Sequence, residues 1–262
     1  MSMIGRVESL WRYPVKGMRG EVLDESFVGF SGIYGDRVYA FKNTAAPAGF
    51  PFHTAREQEE MLLYVPKYAN GTTAAKPPNL AAADKMAPGM TPLYAPIADL
   101  KVDVTTPDGG VYPVNSSDLI ADMKQRLGEA PELSLMHSER ALTDCRPVSI
   151  FSVQTVAGLA DEIAEPVDKR QFRANIYADF AGKNPFFEKT LLGARIKIGA
   201  KAEFMLLEQD PRCKMITLNP DTAKASPKIL RQVTTKHDGF AGLYAVVLVE
   251  GVVKPDDAIM LM

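Results

Sequence analysis

Ala202-Glu203-Phe204-Met205-Leu206-Leu207-Glu208, followed by Asp210-Pro211-Arg212-Cys213-Lys214-Met215-Ile216-Thr217-Leu218-Asn219-Pro220-Asp221-Thr222, is the stretch on which the fold turns. Its first seven residues read as a β-strand. Pro211 and a cysteine come next, and Asn219-Pro220-Asp221-Thr222 supplies a turn. A thiol at the end of a strand, directly after Arg212, is placed to be held as a thiolate, because a guanidinium favours the anion. Such a sulfur can ligate a soft metal, attack an electrophile or carry sulfur; it can equally be an inert buried cysteine.

Outward from this stretch the chain is mostly short strands. Upstream, strands are expected over Ile4–Tyr13, Val22–Phe30, Val38–Lys42, Met61–Val65, Leu133–Met136, Val148–Phe151, Ile176–Ala178 and Arg195–Gly199. Leu100–Thr105 and Val111–Val114 flank Pro107-Asp108-Gly109-Gly110, a hairpin signal. Downstream, Leu243–Val249 and Ala258–Met262 are strands. Three or four helices interrupt them, and three can be placed. One starts at Ser116 or Ser117, carries Leu119, Ile120, Met123 and Leu127 on one face and stops at Gly128. One is capped by Ser152. One is capped by Ser226 with Pro227 in its first position. Strands and helices do not alternate regularly, so a doubly wound parallel sheet is unsupported. The expected class is mainly β with α inserts (α+β), built as closed or nearly closed barrels. Residues 67–96 are rich in Pro, Ala, Gly and Asn and read as a long excursion.

The 262 residues allow one large domain or two ordinary ones. A net charge of -2 gives no reason to expect nucleic acid or an anionic membrane as a partner, so any anion site must be made by local cations. No apolar run has the length of a membrane span and no signal-peptide core follows Met1, which sets a cytoplasmic expectation. Two cysteines, Cys145 and Cys213, exclude a disulfide framework and a four-cysteine iron–sulfur cluster. Candidate anion-binding groups lie elsewhere. Lys16 and Arg19 sit on the loop Tyr13–Gly20. The helix start at Ser152 offers free N–H groups. Arg173 and Asn175 share one parity of an expected strand, a pairing that suits phosphate and amide-like groups. For each, the plain alternative is a solvated charge or a simple cap.

Six segments, in order, resemble the MOSC family, named for the C-terminal domain of molybdenum-cofactor sulfurase. They are Tyr13-Pro14-Val15-Lys16-Gly17, Gly35-Asp36-Arg37-Val38, the Ser152–Leu159 helix start, Phe172-Arg173-Ala174-Asn175-Ile176, Pro211-Arg212-Cys213 with Asn219–Thr222, and Gly242-Leu243-Tyr244-Ala245. The resemblance is to members that join a MOSC N-terminal β-barrel to a MOSC domain, as in the mitochondrial amidoxime-reducing component and its bacterial relatives. It implies a first domain over 1–115 packed on a second over 116–262 that carries Cys213.

The same resemblance implies a bound molybdenum cofactor, a molybdenum-carrying pterin dithiolene with a phosphate tail. Cys213 is then the metal ligand and the catalytic residue. Lys16, Gly17, Arg37, Ser152, Thr155, Arg173, Asn175 and Arg212 hold the cofactor, with Arg212 favouring the thiolate. The family's loop usually has Ser where Gly17 stands, and commonly Pro where Ala174 stands. Cys145 matches no family cysteine and is read as structural. Pyridoxal phosphate binding is a further family-level implication. The implied activity is reduction of N-hydroxylated or N-oxygenated small molecules. Electrons are expected from a separate ferredoxin-, flavodoxin- or reductase-type partner, because the chain has too few cysteines for its own ferredoxin domain. Asp210 and Asp221 are the candidate acids. The alternative is a sulfur carrier or cofactor-handling protein, with Cys213 as persulfide or transient ligand.

Overall fold

The computed structural model describes residues 1–47, 49–69, 71, 76–83, 85, 99–127, 132–180 and 182–262. Strand β1 (Ser2–Arg12) is followed by β2 (Glu21–Leu23), β3 (Ser26–Gly29), β4 (Gly32–Ile33), β5 (Tyr39–Asn43), β6 (Phe52–His53) and β7 (Val65–Tyr68). After α1 (Leu80–Ala83) come β8 (Val102–Thr105), β9 (Val111–Pro113), α2 (Ser117–Leu127) and β10 (Leu133–His137). Next, β11 (Val148–Ser152) runs directly into α3 (Val153–Ile163), followed by β12 (Ile176–Asp179), β13 (Arg195–Ile198) and β14 (Ala202–Pro211). The chain ends with α4 (Lys228–Lys236), β15 (Phe240–Val249), β16 (Gly251–Val253) and β17 (Ala258–Leu261).

Seven strands close a barrel in the order β12-β11-β15-β14-β13-β17-β1, with β1 returning to β12 and β2 added beside β1. Closure uses the start of the chain: Leu10 pairs with Ile176 and Val7 with Ala178 on one side, and Met3 with Met260 on the other. Alternation sends Val7, Ile150, Ile196, Phe204 and Leu243 into the barrel core. Burying a side chain such as Phe204 fully contributes about 1.5–3 kcal/mol. Among the described residues there are also three three-stranded sheets, β10-β5-β6, β16-β3-β4 and β7-β8-β9. A second core, including Met18, Phe41, Met61, Tyr64 and Met123, lies among them. Late segments return to early ones, as β10 pairs β5 and β16 pairs β3. On the outside of the barrel, α3 and α4 pack through Leu159, Ile229 and Val233. The mainly β class with helical inserts is therefore what the chain adopts.

Three local expectations are corrected. Met61–Val65 is not a strand: Glu59–Leu63 is a 3-10 turn that buries Met61 and Leu62, and pairing begins only at Val65. Arg173 and Asn175 are not in a strand either. Lys169–Phe172 is a 3-10 turn closed by an Asp168–Gln171 capping box, and Arg173 follows it in the left-handed region (φ 54°). Strand parity therefore starts only at Ile176. The residue at the start of α4 is Pro227, and Ser226 instead donates its main-chain N–H to Thr217. Most of the 67–96 excursion, and the Gly128 stop, lie outside the described residues.

Candidate functional site

Cys213 stands where β14 leaves the barrel, partly exposed, and its carbonyl accepts from Ile216 at the start of a 3-10 turn. It lines a cavity of about 360 Å³. Five stretches distant in sequence meet there: the loop after β1, the turn before β5, the Phe50–Arg56 segment, the Thr143–Arg146 loop and the turn at Phe172–Asn175. Lys16, Arg37, Arg56, Arg146, Arg173 and Arg212 face the carboxylates Asp144 and Asp210, an excess of positive charge that suits an anionic ligand.

The cations differ in what already holds them. Lys16 is buried, donates to the Leu142 carbonyl at 2.7 Å and pairs with Asp144. Burial pulls its ammonium down and Asp144 opposes that. Arg56 reaches the other Asp144 oxygen at 2.6 Å and lies 4.4 Å above the Phe50 ring. Arg37 pairs with Asp36 and donates to the Arg173 carbonyl at 3.1 Å. Arg37 and Arg173 both stack on Tyr13, at 4.6 and 4.3 Å. Tyr13 is itself buried, and burial pushes its hydroxyl up to about 12 against the pull of Arg173 and Arg37. Arg173 carries no counter-ion of its own: its buried Nη2 has no hydrogen-bond partner among the described residues, and neither has the Nε of Arg146, whose Nη2 pairs with Glu208. Burial lowers the Arg173 guanidinium to about 10, and the Arg37 charge adds to the effect. A buried donor with nothing to donate to is costly, and an anion in the cavity would relieve that cost.

Arg212 does not do what its place in sequence suggests. Its Nε donates to the Ala241 carbonyl at 2.7 Å, its Nη1 to the Phe172 carbonyl at 2.9 Å, and its Nη2 lies 2.8 Å from Asp210. The side chain is consumed inside the barrel end. Gly242 makes the room: a Cβ there would lie 2.9 Å from Arg212 Nη2, and its φ of 79° is one that side chains rarely adopt. The cation beside the Cys213 thiol is instead Arg56: burial disfavours its charge, and the thiol and Asp144 more than offset that. Asp210 accepts from Ser149 at 2.9 Å, and burial pushes its carboxyl up despite Arg212.

Lys16, Gly17, Arg37, Arg173, Asn175, Arg212 and Cys213 all line this cavity. Gly17 cannot be replaced without strain, since its φ is 86° and a Cβ would sit 2.9 Å from Thr54 Cα. A serine there would therefore require the two segments to separate. Asn175 is buried and its amide is used structurally: Oδ1 accepts from Ser149 N–H and Nδ2 donates to the Trp11 carbonyl.

Ser152 and Thr155 do not reach the cavity. Both are fully buried at the head of α3, where Ser152 caps the helix. The negative charge there comes from the chain itself. Glu188, 1% exposed, accepts from Thr155 Oγ1 at 2.8 Å. The N–H groups and dipole that could bind a phosphate are already answered. Asp221 is also elsewhere, paired with Arg170 and Arg19. Cys145 is not a buried structural thiol. It is exposed, lines the Cys213 cavity and donates to Glu208 at 3.4 Å, with burial and Glu208 raising its thiol.

Sequence reasoning missed Arg56, Asp144, Cys145 and Arg146. Two signals pointed at them: the polar run Thr54–Glu60 between strands, and Asp144-Cys145-Arg146-Pro147 directly before buried β11. Among the described residues no three His, Cys, Asp or Glu side chains gather to hold a bare metal ion. A metal here would have to bring most of its ligands with it, as a cofactor does. None of the described helices is long and apolar enough to cross a membrane.

Comparison with known proteins agrees with the six segments. The chain matches the MOSC N-terminal beta barrel domain over residues 4–115 and the MOSC domain over residues 137–260. No curated protein matches its sequence. Among solved structures, the YuaD protein of Bacillus subtilis is 14% identical, over 97% of this chain and 93% of that one, with a TM-score of 0.47. YiiM from Geobacillus stearothermophilus is 18% identical over 45% of this chain and 54% of its own, with a TM-score of 0.36. YiiM from Escherichia coli is 15% identical over 45% and 54%, with a TM-score of 0.32. Likenesses this distant say nothing about chemistry. The two domain matches, which lie between residue 4 and residue 260, show the family: the chain belongs to the MOSC family, with the family's N-terminal beta barrel domain followed by its MOSC domain.

Proposed function

We propose that this protein is a molybdenum-cofactor oxidoreductase that reduces N-hydroxylated or N-oxygenated small molecules, with electrons from a separate redox protein. The observation that carries the reading is a partly exposed thiol in a cation-lined cavity whose wall holds an unsatisfied guanidinium. The donor set fits the group: a soft sulfur for molybdenum at one end, and fixed positive charge for a phosphate. Cys213 would be the metal ligand, with the Arg56 guanidinium beside it. Arg173, Arg37 and Lys16 would take the phosphate. When bound, the cofactor supplies two-electron redox chemistry, and the protein supplies position and electrostatics. Asp210, kept protonated more readily by its burial, is the side chain in the cavity suited to handle a proton, in hydrogen-bond reach of Ser149 and Tyr244.

Protein made in a host that synthesises the cofactor should carry molybdenum near stoichiometry and reduce benzamidoxime with a chemical electron donor. Cys213→Ala should abolish both, by more than about a hundredfold in rate, while leaving the fold intact by circular dichroism. Molybdenum without reduction, together with an extra sulfur on Cys213 by mass spectrometry after a cysteine desulfurase, would replace this reading with the sulfur-carrier one.

A further inference from the structure

A second cavity, of about 500 Å³, lies against the first and shares with it the wall made by Gln171, Arg173 and Met215. Its size is in the range in which proteins hold small molecules. The lining has two natures. Trp11, Tyr13 and Leu62 give flat and apolar surface, whereas Arg19, Lys67 and Arg173 bring positive charge near one carboxylate, Glu21. The Trp11 indole is half-buried, and its orientation is set by Nε1 donating to Ser9 Oγ at 3.0 Å. Glu21 is held by the Arg12 guanidinium at 2.8 Å, and Arg19 by the Pro220 carbonyl at 2.7 Å. Arg173, in the shared wall, keeps its buried Nη2 without a partner. A simple anion would leave the aromatic side unused, and a neutral apolar ligand would leave the cations desolvated without compensation. A ligand with a planar heterocycle and a phosphate uses both.

We propose that this second cavity binds a nucleoside 5′-phosphate, its base against Trp11, its phosphate on Arg173, and Glu21 accepting from an amino group of the base. Stacking on an aromatic side chain is sequence-tolerant, so several bases should be accepted. The nucleotide can come from two sources: free nucleotide, or a nucleotide arm on a cofactor seated in the Cys213 cavity. Only the second source rests on the function proposed above.

Trp11 is the single tryptophan of the chain, so its fluorescence reports on this cavity alone. Titration with GMP, CMP and AMP should quench it saturably, with guanosine and inorganic phosphate binding at least about tenfold more weakly. By calorimetry, Trp11→Ala and Arg173→Met should each weaken nucleotide binding by about tenfold or more, with circular dichroism confirming their fold. Cys213→Ala should bind nucleotide as the parent does, which separates this test from the molybdenum assay. Nucleotide released by acid in equimolar amount with molybdenum would assign the cofactor source, and its absence beside saturable quenching would assign free nucleotide. No quenching or heat up to millimolar nucleotide, or unchanged affinity in both well-folded variants, would overturn the proposal.

Discussion

The Cys213 cavity and the head of α3 both gather groups around a place for negative charge, and they differ in who supplies the charge. At α3 the chain supplies it: Glu188 sits on Thr155, and Ser152 satisfies the Gln154 and Thr155 N–H groups. At the cavity the chain supplies only part. Asp36, Asp144 and Asp210 answer Arg37, Lys16 with Arg56, and Arg212, while Arg173 Nη2 and Arg146 Nε are left over. Each place keeps a buried polar atom without a partner among the described residues, but at α3 it is the acceptor Glu188 Oε1, which repels an anion, and at the cavity it is a donor, which invites one. The sequence shows hydroxyls and cations at both places and does not distinguish them.

Four substitutions test this difference. The largest expected effect is at Asp210, whose side chain is 4% exposed beside Arg212 at 6%. Asp210→Ala should cost about 3–5 kcal/mol in chemical unfolding, because it strands a buried guanidinium. A cost below about 1 kcal/mol would show that the Arg212 carbonyl contacts suffice without it. Arg173→Met tests the opposite case. It should lower molybdenum retention about tenfold or more, with no fall in melting temperature, since the lost group has an unsatisfied donor. A large loss of stability would make Arg173 structural.

Ser152→Ala should cost about 1 kcal/mol as a lost helix cap and leave molybdenum content unchanged. Loss of the metal would return Ser152 to the cofactor. The smallest effect is on pH dependence. Burial raises the Glu188 carboxyl above its ordinary value, so the folded protein holds that proton more tightly than the unfolded chain. Its contribution is fully present below the ordinary glutamate pKa and is lost as pH rises through the raised one. Glu188→Gln should remove that decline in a stability–pH profile, and an unchanged profile would show that Glu188 titrates normally.

Local rules carried some of the reading a long way. Ser152 caps α3 because its hydroxyl competes for N–H groups two and three residues on, a contact the sequence makes by itself. The strand read over Ala202–Glu208 is present, and it runs three residues further, to Pro211. Parity failed at Arg173 because a 3-10 turn and a left-handed residue intervene, and no hydrophobic period marks them. Arg56 and Asp144 escaped notice for a different reason. Asp144 Oδ2 pairs with Arg56, 88 residues away, and Oδ1 with Lys16, 128 residues away. Neither separation has a sequence signature.

By itself the sequence determined a mainly β chain of the MOSC family, with a thiol at a strand end and cations in the loops around it. Only the tertiary structure decided that Arg56 rather than Arg212 meets that thiol, that Glu188 takes the α3 head, and that Arg173 is left open. Periodicity and capping act over a few residues and are written in the order of the chain. Charge pairing acts through space, and here the space is made when β1 closes on β12 and brings the first residues against the last third of the sequence.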